Sequence, residues 1–223
     1  MQLAWTKLIV ALDLEDPREI KKVVKDLSPY GVKFKIGYIP FVKFGTSFIK
    51  KLIDSGADVF VDLKLHDIPN TTQRCAALIA ELGAWAFTVH TQGGATMLNA
   101  VREEVKATAK KLKQKPPLIL GVTVLTSEVA SAQEVLKRAK LAFECGLDGV
   151  IASGQEARAI KAKFPRLKVI TPGIRLPGSQ AGDQKRVMTA QTAFRQGADY
   201  IVVGRPILEN GNYLKNAQRV LSA

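Results

Sequence analysis

One pattern recurs along the chain and constrains its fold more than any other: a helix-like segment, a glycine, one or two residues, then an apolar run. It appears as YGVKFKI, SGADVFVD, LGAWAFTVH, CGLDGVIAS and QGADYIVVG, with glycines at Gly31, Gly56, Gly83, Gly146 and Gly197. Glycine suits the left-handed turn that closes a helix. Neighbouring glycines are 25 and 27 residues apart, and two longer gaps of 63 and 51 residues are each about twice that. Each long gap holds a further strand-like run, at 117–125 and at 167–171. With the apolar run KLIVAL at 7–12, the chain has eight predicted strands, each followed by a helix-like segment. Eight consecutive βα units favour a closed parallel (β/α)8 TIM barrel, with an open doubly wound sheet as the alternative. The 223 residues suit a lean barrel, and no linker or composition break divides them, so one domain over 1–223 is expected.

Local signals support the units. Asp16-Pro17 reads as a helix cap followed by proline at the first helical position. Ile20, Val23, Val24 and Leu27 then repeat with helical periodicity. Gly31 ends that unit, and 32–36 (VKFKI) reads as a second strand carrying Lys33 and Lys35. Further helices are expected over about 40–54 and 70–82.

The stretch VFVDLKLHDIPNT at 59–71 begins as an apolar strand and then gathers Asp62, Lys64 and Asp67. Residues i and i+2 of a strand share a face, so Asp62 and Lys64 point the same way. Charges at the end of a buried strand need partners or a ligand. In a barrel the active site lies at the C-terminal ends of the strands. There the sequence places Asp13, Lys35, Asp62 with Lys64, His90, Thr126, Ser153, Pro172-Gly173 and Gly204-Arg205. A lysine held between carboxylates suits a general acid better than a Schiff-base nucleophile. A buried salt-bridge network is the bland alternative, and it stabilises weakly for its desolvation cost. Carboxylates also bind Mg²⁺, but the two interspersed lysines argue against a metal. Gly173, Gly204 and Arg205 fit a phosphate site between the loops after strands 7 and 8. Between them, 174–186 is long for a tight connection and reads as a lid.

Composition narrows the classes. Lys and Arg total 33 against 20 Asp and Glu, a net charge of +13. The basic residues are spread over many helices without a basic tail or interleaved aromatics, so a solvated basic surface is read in preference to nucleic-acid binding. No uncharged apolar stretch is long enough to span a membrane. The first residues lack the pattern of a signal peptide, and a cytoplasmic location is expected. Cys75 and Cys145 lack CxxC spacing and read as free thiols. His66 and His90 have no ligand-spaced partner, so a structural or supporting role is expected for them.

At these residues the sequence resembles the orotidine 5'-phosphate decarboxylase family. The most specific part is DLKLHDIPNT, from Asp62 to Thr71, which is similar to the family's D-x-K-x-x-D signature. ALDL around Asp13, KIG at Lys35, TVLTS around Thr126, TPGIR ending at Arg175, DQKR around Gln184 and VGRPI around Arg205 match in order. The resemblance implies a carboxy-lyase that converts orotidine 5'-monophosphate to UMP in pyrimidine synthesis, with no cofactor and no metal. It also implies a homodimer with sites at the subunit interface. Lys35, Asp62, Lys64 and Asp67 would form the charged array, with Lys64 the proton donor to C6. Asp67, Ile68 and Thr71 would reach the neighbouring subunit's site. Asp13 and Lys35 would hold the ribose hydroxyls, and Thr126 or Ser127 would contact the base. Arg175, Gln184, Gly204 and Arg205 would grip the phosphate, with Gln184 closing from the lid.

Two rivals remain at this level. Mg²⁺-dependent sugar-phosphate decarboxylases and aldolases resemble this pattern, but they carry a glutamate at the end of strand 2, where Lys35 stands here. A basic nucleic-acid-binding protein rests on the net charge alone.

Overall fold

A computed structural model describes residues 4–125, 131–177 and 188–223. Eight parallel strands close into a barrel in chain order: β1 (Leu8–Ala11), β2 (Lys33–Ile36), β3 (Val59–Leu65), β4 (Ala86–His90), β5 (Leu118–Val122), β6 (Gly149–Ile151), β7 (Lys168–Thr171) and β8 (Tyr200–Val203). β8 returns to pair with β1, Ile9 lying opposite Val202, which excludes the open sheet. The helices are α1 (Pro17–Leu27), α2 (Tyr38–Asp54), α3 (Pro69–Leu82), α4 (Gly94–Leu112), α5 (Ala132–Glu144), α6 (Gly154–Lys163), α7 (Ala190–Arg195), α8 (Arg205–Leu208) and α9 (Tyr213–Ser222).

The predicted signals act as read. Asp16 caps α1, its carboxylate accepting from the Arg18 N–H at 2.8 Å, with Pro17 in the first turn. Ile20, Val23, Val24 and Leu27 are the buried face of α1. All five repeat glycines have positive φ. Gly83 shows why: at φ 84°, ψ 27° it caps α3 in the left-handed region, and its N–H donates to the Ala80 carbonyl.

Strand alternation sorts the core into two layers. Outward residues such as Leu8, Val10, Phe34, Val59, Val61, Phe87 and Val89 pack against the helices. Inward residues Ile9, Ala11, Phe60, Ala86, Leu120, Ile170 and Val202 fill the barrel. Four strands are shorter than predicted, β2 and β7 by one residue each. The first ends at Ala11, and the fifth covers Leu118–Val122 instead of 117–125. Val124 and Leu125 are apolar because they line a cavity, not because they belong to a ladder. Among the described residues no helix is long and apolar enough to cross a membrane. Cys75 and Cys145 are free thiols, and burial pushes the Cys145 thiol up from its ordinary pKa.

Candidate active site

The same alternation that fills the barrel delivers charge to its mouth. Along the inward face, Ile9 and Ala11 lead to Asp13, and Phe60 leads to Asp62 and Lys64. Ala86 leads to Thr88 and His90, and Lys33 leads to Lys35. The apolar floor therefore becomes polar at the C-terminal strand ends. A cavity of about 600 Å³ opens there. Asp13, Lys35, Asp62 and Lys64 line one side, and Arg175, Gly204 and Arg205 also line it. Val122, Val124, Leu125 and Ile151 supply an apolar wall.

The charged side is a continuous chain of alternating sign. The Lys64 ammonium lies 3.0 Å from Asp62 Oδ1, and the Lys35 ammonium lies 3.6 Å from Asp62 Oδ2. Lys35 also donates to Asp13 Oδ1 at 3.2 Å. Only 13% of the Asp62 side chain and 11% of the Lys35 side chain are exposed, so each charge depends on its neighbours in place of water. Gly37 makes room for this packing: a Cβ there would lie 2.8 Å from Asp13 Oδ1 and 2.9 Å from Lys35 Nζ.

Lys64 sits in an uncommon backbone conformation, at φ 47°. For a non-glycine residue the left-handed region costs about 1–2 kcal/mol, and such residues concentrate at functional sites. The cause is local. The β3–β4 register shifts between Val61 and Leu65, leaving a bulge that re-aims the strand. Tyr38, at the start of α2, braces the bulge: its hydroxyl donates to the Leu63 carbonyl at 2.6 Å, and its ring lies 5.7 Å from the Lys64 ammonium. Partial burial, then the Asp62 charge, pushes the Tyr38 phenol above its ordinary pKa.

The other residues singled out in the sequence fall into three groups. Asp67, Ile68 and Thr71 are exposed and stand outside their own chain's cavity. Asp67 Oδ1 accepts from the Ile68 N–H at 2.6 Å, and the Thr72 hydroxyl donates to the Asp67 carbonyl at 3.1 Å. His66 and His90 stack with ring centroids 5.2 Å apart, and neither lines the cavity. Thr126, Ser127, Gln184 and most of the 174–186 segment read as a lid lie outside the described residues. The base of that segment is tied: the Arg175 N–H donates to the Met188 carbonyl at 3.0 Å, next to an Ile174–Met188 bridge. Ser153 is buried at the start of α6, its hydroxyl donates to Glu156, and it does not line the cavity. Among the described residues no group of three or more His, Cys, Asp or Glu side chains is arranged to hold a metal ion.

Sequence reasoning missed Gly37, Tyr38 and Thr88. Thr88 had one available signal: it shares the inward period-two face with Ala86 and His90. Gly37 follows Lys35 by the same step.

Fold and site together define a class, a parallel βα barrel with a preorganised charged array at the C-terminal ends of its strands. Within that class the chain belongs to the orotidine 5'-phosphate decarboxylase / HUMPS family, whose model matches residues 6–220. It is 44% identical over 218 residues to the orotidine 5'-phosphate decarboxylase of Pseudoalteromonas translucida (strain TAC 125), covering 92% of each chain. It is 41% identical over 215 residues to the orotidine 5'-phosphate decarboxylase of Salmonella typhimurium (strain LT2), covering 91% of this chain and 86% of that one. Among solved structures, the Lactobacillus acidophilus orotidine 5'-phosphate decarboxylase superposes with a TM-score of 0.83 at 33% identity, covering 96% of this chain and 97% of that one.

Proposed function

We propose that the protein is a cytoplasmic, homodimeric carboxy-lyase that converts orotidine 5'-monophosphate to UMP and CO₂, with Lys64 as the proton donor. One observation carries the reading: the Lys64–Asp62–Lys35–Asp13 chain lines a cavity that Arg175, Gly204 and Arg205 also line. Family membership and the names of the relatives support the same reaction.

The chemistry follows from the array. Breaking the bond between C6 and the carboxylate leaves the electron pair on C6, a vinylic carbon without an electron sink. The Lys64 ammonium stabilises that developing charge, then transfers a proton to C6 and regains one from solvent. Asp62 fixes Lys64 and faces the leaving carboxylate. Asp13 and Lys35, hydrogen-bonded to each other, hold the ribose hydroxyls. Thr126 or Ser127 contacts the base. Arg175, Arg205, the Gly204 backbone and Gln184 take the phosphate, whose binding energy is used at the reacting carbon.

Asp67, Ile68 and Thr71 complete the partner's site. In support, helices begin at the barrel mouth, and the starts of α2 and α3 carry exposed apolar side chains: Ile39, Val42 at 81% and Ile68 at 65% exposure. Exposed apolar residues beside a site suit burial against a second copy. Val42→Glu is expected to shift sedimentation toward the monomer and to lower specific activity in proportion. Full activity in a monomeric sample would refute the shared site.

Incubating the purified protein with orotidine 5'-monophosphate should yield UMP and CO₂ in equal amounts, read by chromatography and gas release. Unchanged substrate would refute the assignment.

A further inference from the structure

The bulge in β3 leaves a gap in the ladder that a side chain fills. Val61 lies opposite Phe87 and Leu65 opposite Val89, so residues 62, 63 and 64 face Thr88 alone. A regular parallel ladder cannot serve three residues from one. The Thr88 hydroxyl bridges the gap instead. It accepts from the Lys64 backbone N–H at 2.8 Å and donates to Asp62 Oδ1 at 2.9 Å. Thr88 is fully buried, so water does not compete for either bond. One hydroxyl therefore fixes the backbone of Lys64 in its left-handed conformation and the carboxylate that holds the Lys64 ammonium.

Resting on the proposed function above, we propose that Thr88 is a positioning residue of the active site, acting on the reaction through Lys64 and Asp62 without touching substrate. Its hydroxyl takes the place of a ladder hydrogen bond and couples the backbone and side-chain geometry of the array. Small displacements of a proton donor cost rate steeply, because the barrier depends on near-attack geometry. Thr88 does not line the cavity. Its loss therefore separates turnover from binding.

The test compares wild type, Thr88→Val and Thr88→Ser, with kcat and KM for orotidine 5'-monophosphate, UMP affinity and melting temperature measured for each. Valine keeps the shape and removes both hydrogen bonds. The expected result is a fall in kcat of roughly 10- to 100-fold in Thr88→Val, with KM and UMP affinity within about threefold of wild type. Thr88→Ser, which keeps the hydroxyl, should retain kcat within about threefold of wild type. Should Thr88→Val fail to fold, Thr88→Ala is measured below its melting temperature with the same expectation. A hydroxyl-free variant with wild-type kcat overturns the inference while leaving the decarboxylase reading intact. A variant whose loss lies wholly in KM or in melting temperature also overturns it. Wild type inactive on orotidine 5'-monophosphate overturns the reading and the inference together.

Discussion

Lys64→Ala is expected to abolish decarboxylation while leaving UMP binding within about tenfold of wild type. The ammonium has two tasks in the proposed reaction, stabilising the C6 carbanion and protonating it. General acid catalysis is worth roughly 10²–10⁴-fold and a preorganised electrostatic contact roughly 10²–10³-fold. Losing both should lower kcat by at least about 10⁴-fold. Binding should survive because the proposed ribose and phosphate contacts come from other elements. Asp62 is also not left bare, since Lys35 at 3.6 Å and the Thr88 hydroxyl at 2.9 Å still face it. Single-turnover kinetics with titration of UMP would check both halves. Near-wild-type turnover would sink the proton-donor assignment.

Arg205→Ala should act at the opposite end of the substrate. Arg205 follows β8, next to Gly204, and lines the cavity. A guanidinium on a phosphate makes charge-assisted, geometrically matched hydrogen bonds worth about 2–3 kcal/mol. The expected loss in kcat/KM is therefore roughly 30- to 150-fold. It should fall mainly on apparent affinity for the nucleotide, because Lys64 and Asp62 are untouched. An unchanged affinity for orotidine 5'-monophosphate and for UMP would remove Arg205 from the phosphate site.

The architecture was legible because it rests on local rules repeated many times. The helix-closing glycines each needed positive φ, and inward and outward residues alternated along each strand. The pairing of Asp62 with Lys64 was legible for the same reason, two residues apart on one face. What escaped the sequence depends on how strands meet. The left-handed Lys64 and the bridging hydroxyl of Thr88 exist only because β3 and β4 pair across a bulge. Gly37 matters only once the Asp13 and Lys35 side chains converge beside it. The fifth strand was read too long because a cavity wall and a buried ladder both select apolar residues, as Val124 and Leu125 show.

Lys35 stands where the Mg²⁺-dependent sugar-phosphate enzymes carry a glutamate, so metal-free chemistry is expected. The most direct measurement is the ultraviolet progress curve of orotidine 5'-monophosphate with protein dialysed against EDTA and with untreated protein. Complete conversion to UMP at the same rate is expected in both samples. No absorbance change in either sample would contradict the assigned reaction, and activity lost to EDTA and restored by Mg²⁺ would contradict catalysis by the lysine–aspartate array alone.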